Sequence, residues 1–170
     1  MTAEPSTVTV DEVAAEATYA LRGAVLRPGG GDLVWPGDED PATFHLAART
    51  ADGRTVGVVR FSPAPCPWRA DARAPWQLRG MATDPEVRGS GAGRAMVDAG
   101  LAAVAARGGG LVWCDARTAA VGFYERMGFT VVSAAFDKPG IGPHLGMLKD
   151  LVPLTPRALG ASLRTRPETG

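Results

Sequence analysis

Apolar positions recur along this chain with two periods, near 3.6 and near 2, and the change from one to the other marks out its elements. Thr7–Val10 reads as a short first strand. Asp11 is placed to cap a helix whose apolar positions Val13, Ala14, Ala17, Leu21 and Val25 lie three or four apart. Residues 28–42 are rich in Gly, Pro and Asp and read as a loop. Thr43–Thr50 and Thr55–Ser62 flank Asp52-Gly53, a hairpin signal. A second loop, Pro63–Pro75, carries four prolines. Trp76–Thr83 is a central strand, and Gly91–Arg107 a helix with Val97, Leu101 and Val104 along one side, stopped by Gly108-Gly109-Gly110. Leu111–Cys114 is apolar throughout, as a strand buried on both faces would be. A helix over Thr118–Met127 follows, then an antiparallel pair formed by Phe129–Phe136 and His144–Lys149. The order is an α/β (α+β mixed) arrangement, with hairpins at both ends and a βαβ crossover between them. It predicts one domain over residues 7–151, a flexible N-terminus at residues 1–6 and a flexible C-terminal tail at 152–170.

Composition narrows the class. A chain of 170 residues is long enough for one domain with a proper core. Lys plus Arg and Asp plus Glu each number 18, so charge points to neither nucleic acid nor an anionic membrane as the partner. No apolar run approaches the ~20 residues needed to cross a bilayer. The opening residues lack the basic and apolar segments of a secretory signal. Cys66 and Cys114 belong to no CxxC pair, which argues against a metal site and suits reduced thiols in a cytoplasmic protein.

The most informative stretch is residues 78–94, LRGMATDPEVRGSGAGR. A strand breaks at Asp84-Pro85, a loop with Gly89, Gly91 and Gly93 follows, and a helix starts at once. Glycines here let main-chain N–H groups converge on a ligand, and the helix aims its positive end at the same place. The loop therefore reads as an anion cradle for a phosphorylated small molecule. A Walker loop is excluded, since the only lysines are Lys138 and Lys149. A dinucleotide fingerprint needs a third glycine where Arg94 or Met96 stands. What remains, Arg88-x-x-Gly91-x-Gly93, resembles the pyrophosphate signature of the GNAT superfamily of acyl-CoA-dependent N-acyltransferases.

A second motif carries the same resemblance. Ala120-Val121-Gly122-Phe123-Tyr124-Glu125-Arg126-Met127-Gly128-Phe129 is similar to the helix that closes the GNAT coenzyme site. Ala120, Phe123, Tyr124 and Met127 share one helical face, and Gly128 suits the left-handed residue that ends a helix. The resemblance covers roughly Thr43–Leu151. Residues 78–93, 113–117, 120–129 and 136–147 together resemble a bacterial branch whose members mostly lack an assigned substrate.

The resemblance implies a GNAT fold: a central mixed sheet of about six to seven strands, splayed between strands 4 and 5 and flanked by helices. It implies acetyl transfer from acetyl-CoA to a primary amine by direct attack in a ternary complex, without a metal. Met81, Ala82 and Thr83 would bond the pantetheine arm. Arg88, Gly89, Ser90, Gly91, Ala92, Gly93 and Arg94 would hold the pyrophosphate, with Phe123 and Tyr124 beside the coenzyme. Tyr124 would be the acid for the leaving thiolate. Two positions depart from the pattern: Gln77 stands where many members carry a glutamate base, and Arg117 where many carry asparagine. The base is then open among His144, Asp115 and the acidic run Asp38-Glu39-Asp40. The run reads either as a solvated loop or as a seat for a cationic amine. Arg22, Arg27 and Arg79 read as surface arginines or as the lining of an acceptor pocket for an anionic group. The acceptor, small molecule or peptide, is open, as is a homodimer, the frequent assembly in this fold. A non-catalytic acyl-CoA sensor is the rival reading, supported by the missing glutamate.

Overall fold

The computed structural model describes residues 7–151, so the expectations for both chain ends lie outside the described residues. Among these residues the strands are β1 (Thr9–Val13), β2 (Phe44–Arg49), β3 (Thr55–Pro63), β4 (Pro75–Thr83), β5 (Leu111–Arg117), β6 (Thr130–Val131), β7 (Phe136–Lys138) and β8 (Gly142–Asp150). The α-helices are α1 (Glu16–Leu26), α2 (Ala92–Ala106) and α3 (Val121–Arg126). One sheet runs in the order β1-β2-β3-β4-β5-β8-β6, with β7 also on β8. Every pairing is antiparallel except β4 with β5. This is the mixed sheet expected, with eight strands where six to seven were expected.

The two faces of the sheet are covered by different helices. Phe44, Leu46, Val59, Phe61 and Leu78 point to α2, where Met96, Val97, Leu101 and Val104 complete the main core. Ala47, Val58 and Ala82 point the other way, against Leu21, Val25 and Leu26 of α1. The alternation from Val58 to Phe61 follows from the period of two, and the register shift opposite Ala48/Arg49 turns Val56 to the α2 side as well. The Asp52-Gly53 turn joins β2 and β3 as the dipeptide signalled, with Gly53 at φ +87°.

Three expectations are corrected. Asp11 is not a cap: it lies within β1, paired with Ala47 of β2, and α1 starts later behind Ala15 with no side-chain cap. Pairing to the sheet edge overrides the helical spacing of Val13 and Ala14. The helix over Thr118–Met127 divides into a 3₁₀ turn at Thr118–Ala120 and the short α3. The strand over Phe129–Phe136 divides into β6 and β7, because Ser133 Oγ accepts the Gly146 N–H at 2.7 Å where a main-chain carbonyl would stand.

Gly100 tests how tightly α2 sits. A Cβ there would fall within the ring of Phe61. Alanine in a helix interior normally gains about 1 kcal/mol over glycine. Here we expect Gly100→Ala to destabilise by roughly 1–3 kcal/mol through overpacking, read by urea denaturation. Phe61→Leu in the same chain should recover part of that loss, since it opens the space.

Candidate active site

β4 and β5 touch only at their beginnings. Pro75 pairs with Leu111, Trp76 with Val112 and Gln77 with Trp113; beyond that β4 runs on to Thr83 and β5 to Arg117 without further pairing. β3 holds the outer edge of β4, and β8 the outer edge of β5. The facing edges are left open, with main-chain groups that any extended ligand could pair. Gly80 helps to open them. It sits at φ +65° beside the register shift between Val58 and Arg60, and a Cβ on it would meet Trp35 Cζ3 at 2.6 Å. A glycine inside a strand was the readable sign of this bulge, and the sequence reading passed over it.

Met81, Ala82 and Thr83 form the open end of β4, with Ala82 buried and its neighbours half-buried. The chain then turns through Asp84, whose Oδ1 accepts the Glu86 N–H at 2.9 Å, into a 3₁₀ turn at Pro85–Val87. Gly89 and Gly91 take φ +83° and +90°, conformations that β-carbons resist. Gly91 is the N-cap of α2 and has no side chain to bond the first turn. The first helical bond runs from Ala95 N–H to Gly91 O, at 3.0 Å. The N–H groups of Ala92, Gly93 and Arg94 thus lack intrahelical acceptors. Ser90 Oγ is buried beside them, without a hydrogen-bond partner among the described residues. Arg88 and Arg94 are exposed, and Arg94 lies 3.8 Å from Asp98 on the next turn. These unpaired donors at the positive end of a fifteen-residue helix fit an anionic diphosphate.

α3 closes the same corner. A Cβ on Gly93 would meet Phe123 Cζ at 3.4 Å and Thr83 Oγ1 at 3.9 Å, so α2, α3 and the end of β4 converge there. Tyr124 is 6% exposed and packs edge-on to Phe123 and Phe129, at ring distances of 5.2 and 5.5 Å. It shares the main core with Cys114 and Ala116 of β5, both beyond the last β4–β5 pair. Gly128 ends α3 at φ +91°, as expected, and Phe129 N–H returns to Tyr124 O at 3.0 Å. Burial pushes the Tyr124 phenol well up from its ordinary value, and the neighbouring Cys114 adds to this. Tyr124 therefore holds its proton. Burial likewise pushes the Cys114 thiol far up, keeping it a neutral packing group.

The candidates for a base are scattered. Gln77 is half-buried at the last β4–β5 pair. Asp115 is paired with Lys138 at 2.5 Å. His144 is 4% exposed and lies opposite Arg117, stacked on Phe136 at 6.0 Å. Strand alternation puts it on the face away from Cys114 and Tyr124. Its Nδ1 is 2.7 Å from Gly142 O. A carbonyl only accepts, so Nδ1 carries a hydrogen, and in the neutral ring Nε2 then has the lone pair.

The α1 face holds a cluster that sequence reasoning missed. Asp38 is not part of a solvated run: it is 4% exposed and bonds Arg22 at 2.7 Å, Arg60 at 3.0 Å and the Trp35 N–H at 2.8 Å. Arg22 is no surface arginine either, being 1% exposed. Its guanidinium lies 3.9 Å from the Trp35 ring, and Arg79 lies 4.6 Å from the same ring. Arg27 stands at 5.9 Å. His45 Nε2 donates to Asp38 O at 3.1 Å. Burial would raise the Asp38 carboxyl, but the bonds from Arg22 and Trp35 and the Arg22 and Arg60 charges hold it below its usual range. Burial pushes His45 down.

Comparison with known proteins agrees with this geometry. The sequence profile of the acetyltransferase (GNAT) family matches residues 12–129. The chain is 34% identical over 144 residues to the uncharacterized N-acetyltransferase YitI of Bacillus subtilis, covering 84% of this chain and 95% of that one. Among solved structures, Escherichia coli ElaA superposes with a TM-score of 0.68 at 18% identity, covering 84% of this chain and 99% of that one. An aminoglycoside 6'-N-acetyltransferase complexed with coenzyme A gives 0.67 at 17% identity, covering 85% and 98%. The chain belongs to the GNAT acetyltransferase family and is an acyltransferase enzyme.

The cluster around Asp38 sets a pH dependence. His45, held below its ordinary value of about 6.5, contributes stability that is complete above that pH and lost as pH falls through the depressed value. Asp38, held low, behaves likewise from about pH 3.9 downward. Stability should start to fall below about pH 6.5, with a slope of up to about 1.4 kcal/mol per unit from His45. His45→Gln should flatten that limb in urea titrations across pH. Asp38→Ala, leaving two buried cations, should cost about 3–5 kcal/mol at pH 7.

Proposed function

We propose that this enzyme transfers an acetyl group from acetyl-CoA to a primary amine, by direct attack within a ternary complex. The observation that supports this most is the convergence of three features on one corner: the open end of β4, the unpaired amides of Ala92–Arg94, and Tyr124. Met81, Ala82 and Thr83 offer main-chain groups to the pantetheine arm. The amides of Ala92, Gly93 and Arg94, with Ser90 Oγ and the loop of residues 88–91 around them, hold the pyrophosphate. Phe123 walls the coenzyme against the first turn of α2.

The coenzyme supplies a thioester carbonyl open to a nucleophile. The amine must arrive uncharged; its nitrogen bonds the acyl carbon while the carbon–sulfur bond breaks. A main-chain N–H at Met81 or Ala82 steadies the oxygen as it gains charge. Tyr124 gives its proton to the departing sulfur, a role that suits a phenol kept protonated by burial. His144, with Nε2 free, is our candidate to take the proton released by the amine. Two buried free thiols suit a reducing compartment, and we place the protein in the cytoplasm. Gln77 in place of a carboxylate favours one second reading, an acyl-CoA sensor without turnover.

Calorimetry with acetyl-CoA and thiol release with an amine panel separate the two. We expect binding, a thermal shift equivalent to about 2.7 kcal/mol at a hundredfold excess over Kd, and amine-dependent thiol release. Tyr124→Phe should lower kcat by on the order of 10²-fold with coenzyme affinity nearly unchanged. An unaltered kcat removes Tyr124 from the chemistry, and binding with no thiol release supports the sensor.

A further inference from the structure

The α1 face carries more positive charge than it neutralises. Arg22, Arg60 and Arg79 gather around Trp35 and β4, and one carboxylate, Asp38, serves the first two. Among the described residues Arg79 has no acidic partner. It is nonetheless placed directly across the ladder from Arg60, its register partner on β3. Like charges opposite each other on one sheet face repel, and natural sheets avoid that arrangement. Arg22 and Arg60 are buried, at 1% and 5% exposure, whereas Arg79 is exposed. Burial, together with the charges of Arg60, Arg22 and Arg27, presses the Arg79 guanidinium below its ordinary value, the mark of a cation among cations. Arg79, exposed and without an acidic partner among the described residues, is the cation of this group that an anion can reach.

Its position says which anion. Arg79 lies on β4 between Gln77, where β5 is last paired, and Met81, where the strand edge is open. Two residues of strand span roughly 6–7 Å. That keeps the Arg79 backbone close to the open edge, with its guanidinium over Trp35 on the face opposite α2. A planar guanidinium stacked on an indole presents a fork that matches a carboxylate. A polyamine would meet repulsion at the same spot.

We propose that the acceptor is a compact amine bearing a carboxylate, which Arg79 holds beside Trp35 while the amino group faces the open end of β4. This rests on the acetyltransferase reading above and names the substrate class for the same site. Arg79 is then a specificity-determining residue.

Matched pairs test it: 4-aminobutyrate against 1-aminobutane, and 3-aminopropanoate against 1-aminopropane, with spermidine as a cationic control, at saturating acetyl-CoA. We expect the member with the extra carboxylate in each pair to show a kcat/KM at least about tenfold higher. In Arg79→Ala that ratio should collapse toward one through KM, while acetyl-CoA affinity and melting temperature hold. Arg79→Lys should restore part of it. A preference for spermidine or the less acidic partner, or a ratio untouched by Arg79→Ala, overturns the proposal. So does acetyl-CoA binding with no transfer to any panel member, which leaves coenzyme recognition standing. Absence of both acetyl-CoA binding and thiol release takes down the acetyltransferase reading as well.

Discussion

The parting of β4 from β5 after Gln77 and Trp113 is the constraint on which the rest of the molecule depends. Two neighbouring strands gain by completing their ladder, and leaving backbone groups unpaired costs free energy unless water or a ligand takes them. Here closure is prevented from several directions. Each strand is anchored on its outer side, by β3 and β8. Gly80 bends β4 in a conformation that other residues resist, and Trp35 fills the space against it. Tyr124 and Met147 pack with Cys114 and Ala116, tying β5 beyond the fork into the main core from the α3 side. The open edge is thus a product of good packing on both sides.

The second support is electrostatic. Residues 28–42 contain no helix or strand, yet Trp35 and Asp38 within them are buried. A buried carboxylate is tolerable only with strong partners, and Asp38 finds two guanidiniums and a main-chain N–H. Arg22 Nη1 also donates to Leu33 O at 2.9 Å, extending the tie along the loop. A long connection that would otherwise wander is held against α1 and β3.

Much of this was legible because local chemistry decided it. The glycine loop, the left-handed Gly128, the β2–β3 hairpin and the Phe123–Tyr124 face all depend on residues close in sequence. What escaped depends on distant partners. Asp11 looks like a cap until β2 pairs with it. Asp38 looks solvated, and Arg22 surface-exposed, until the fifteen residues between them fold to bring them together. Gly80 carried a sign in its identity, but the indole that demands it comes from the loop. Ser133 splits the last edge by a side-chain bond that no periodicity foretells.

The anchoring of that loop has an evolutionary side. Its hold on the body lies in Asp38, Trp35 and the Leu33 carbonyl, whereas Val34 between them is largely exposed and the Leu33 side chain partly so. Side chains at the rim are therefore separable from the pegs that fix the backbone. A lineage built this way can trade one exposed loop residue for another without disturbing the backbone, and so without disturbing the far corner we propose for the acyl donor.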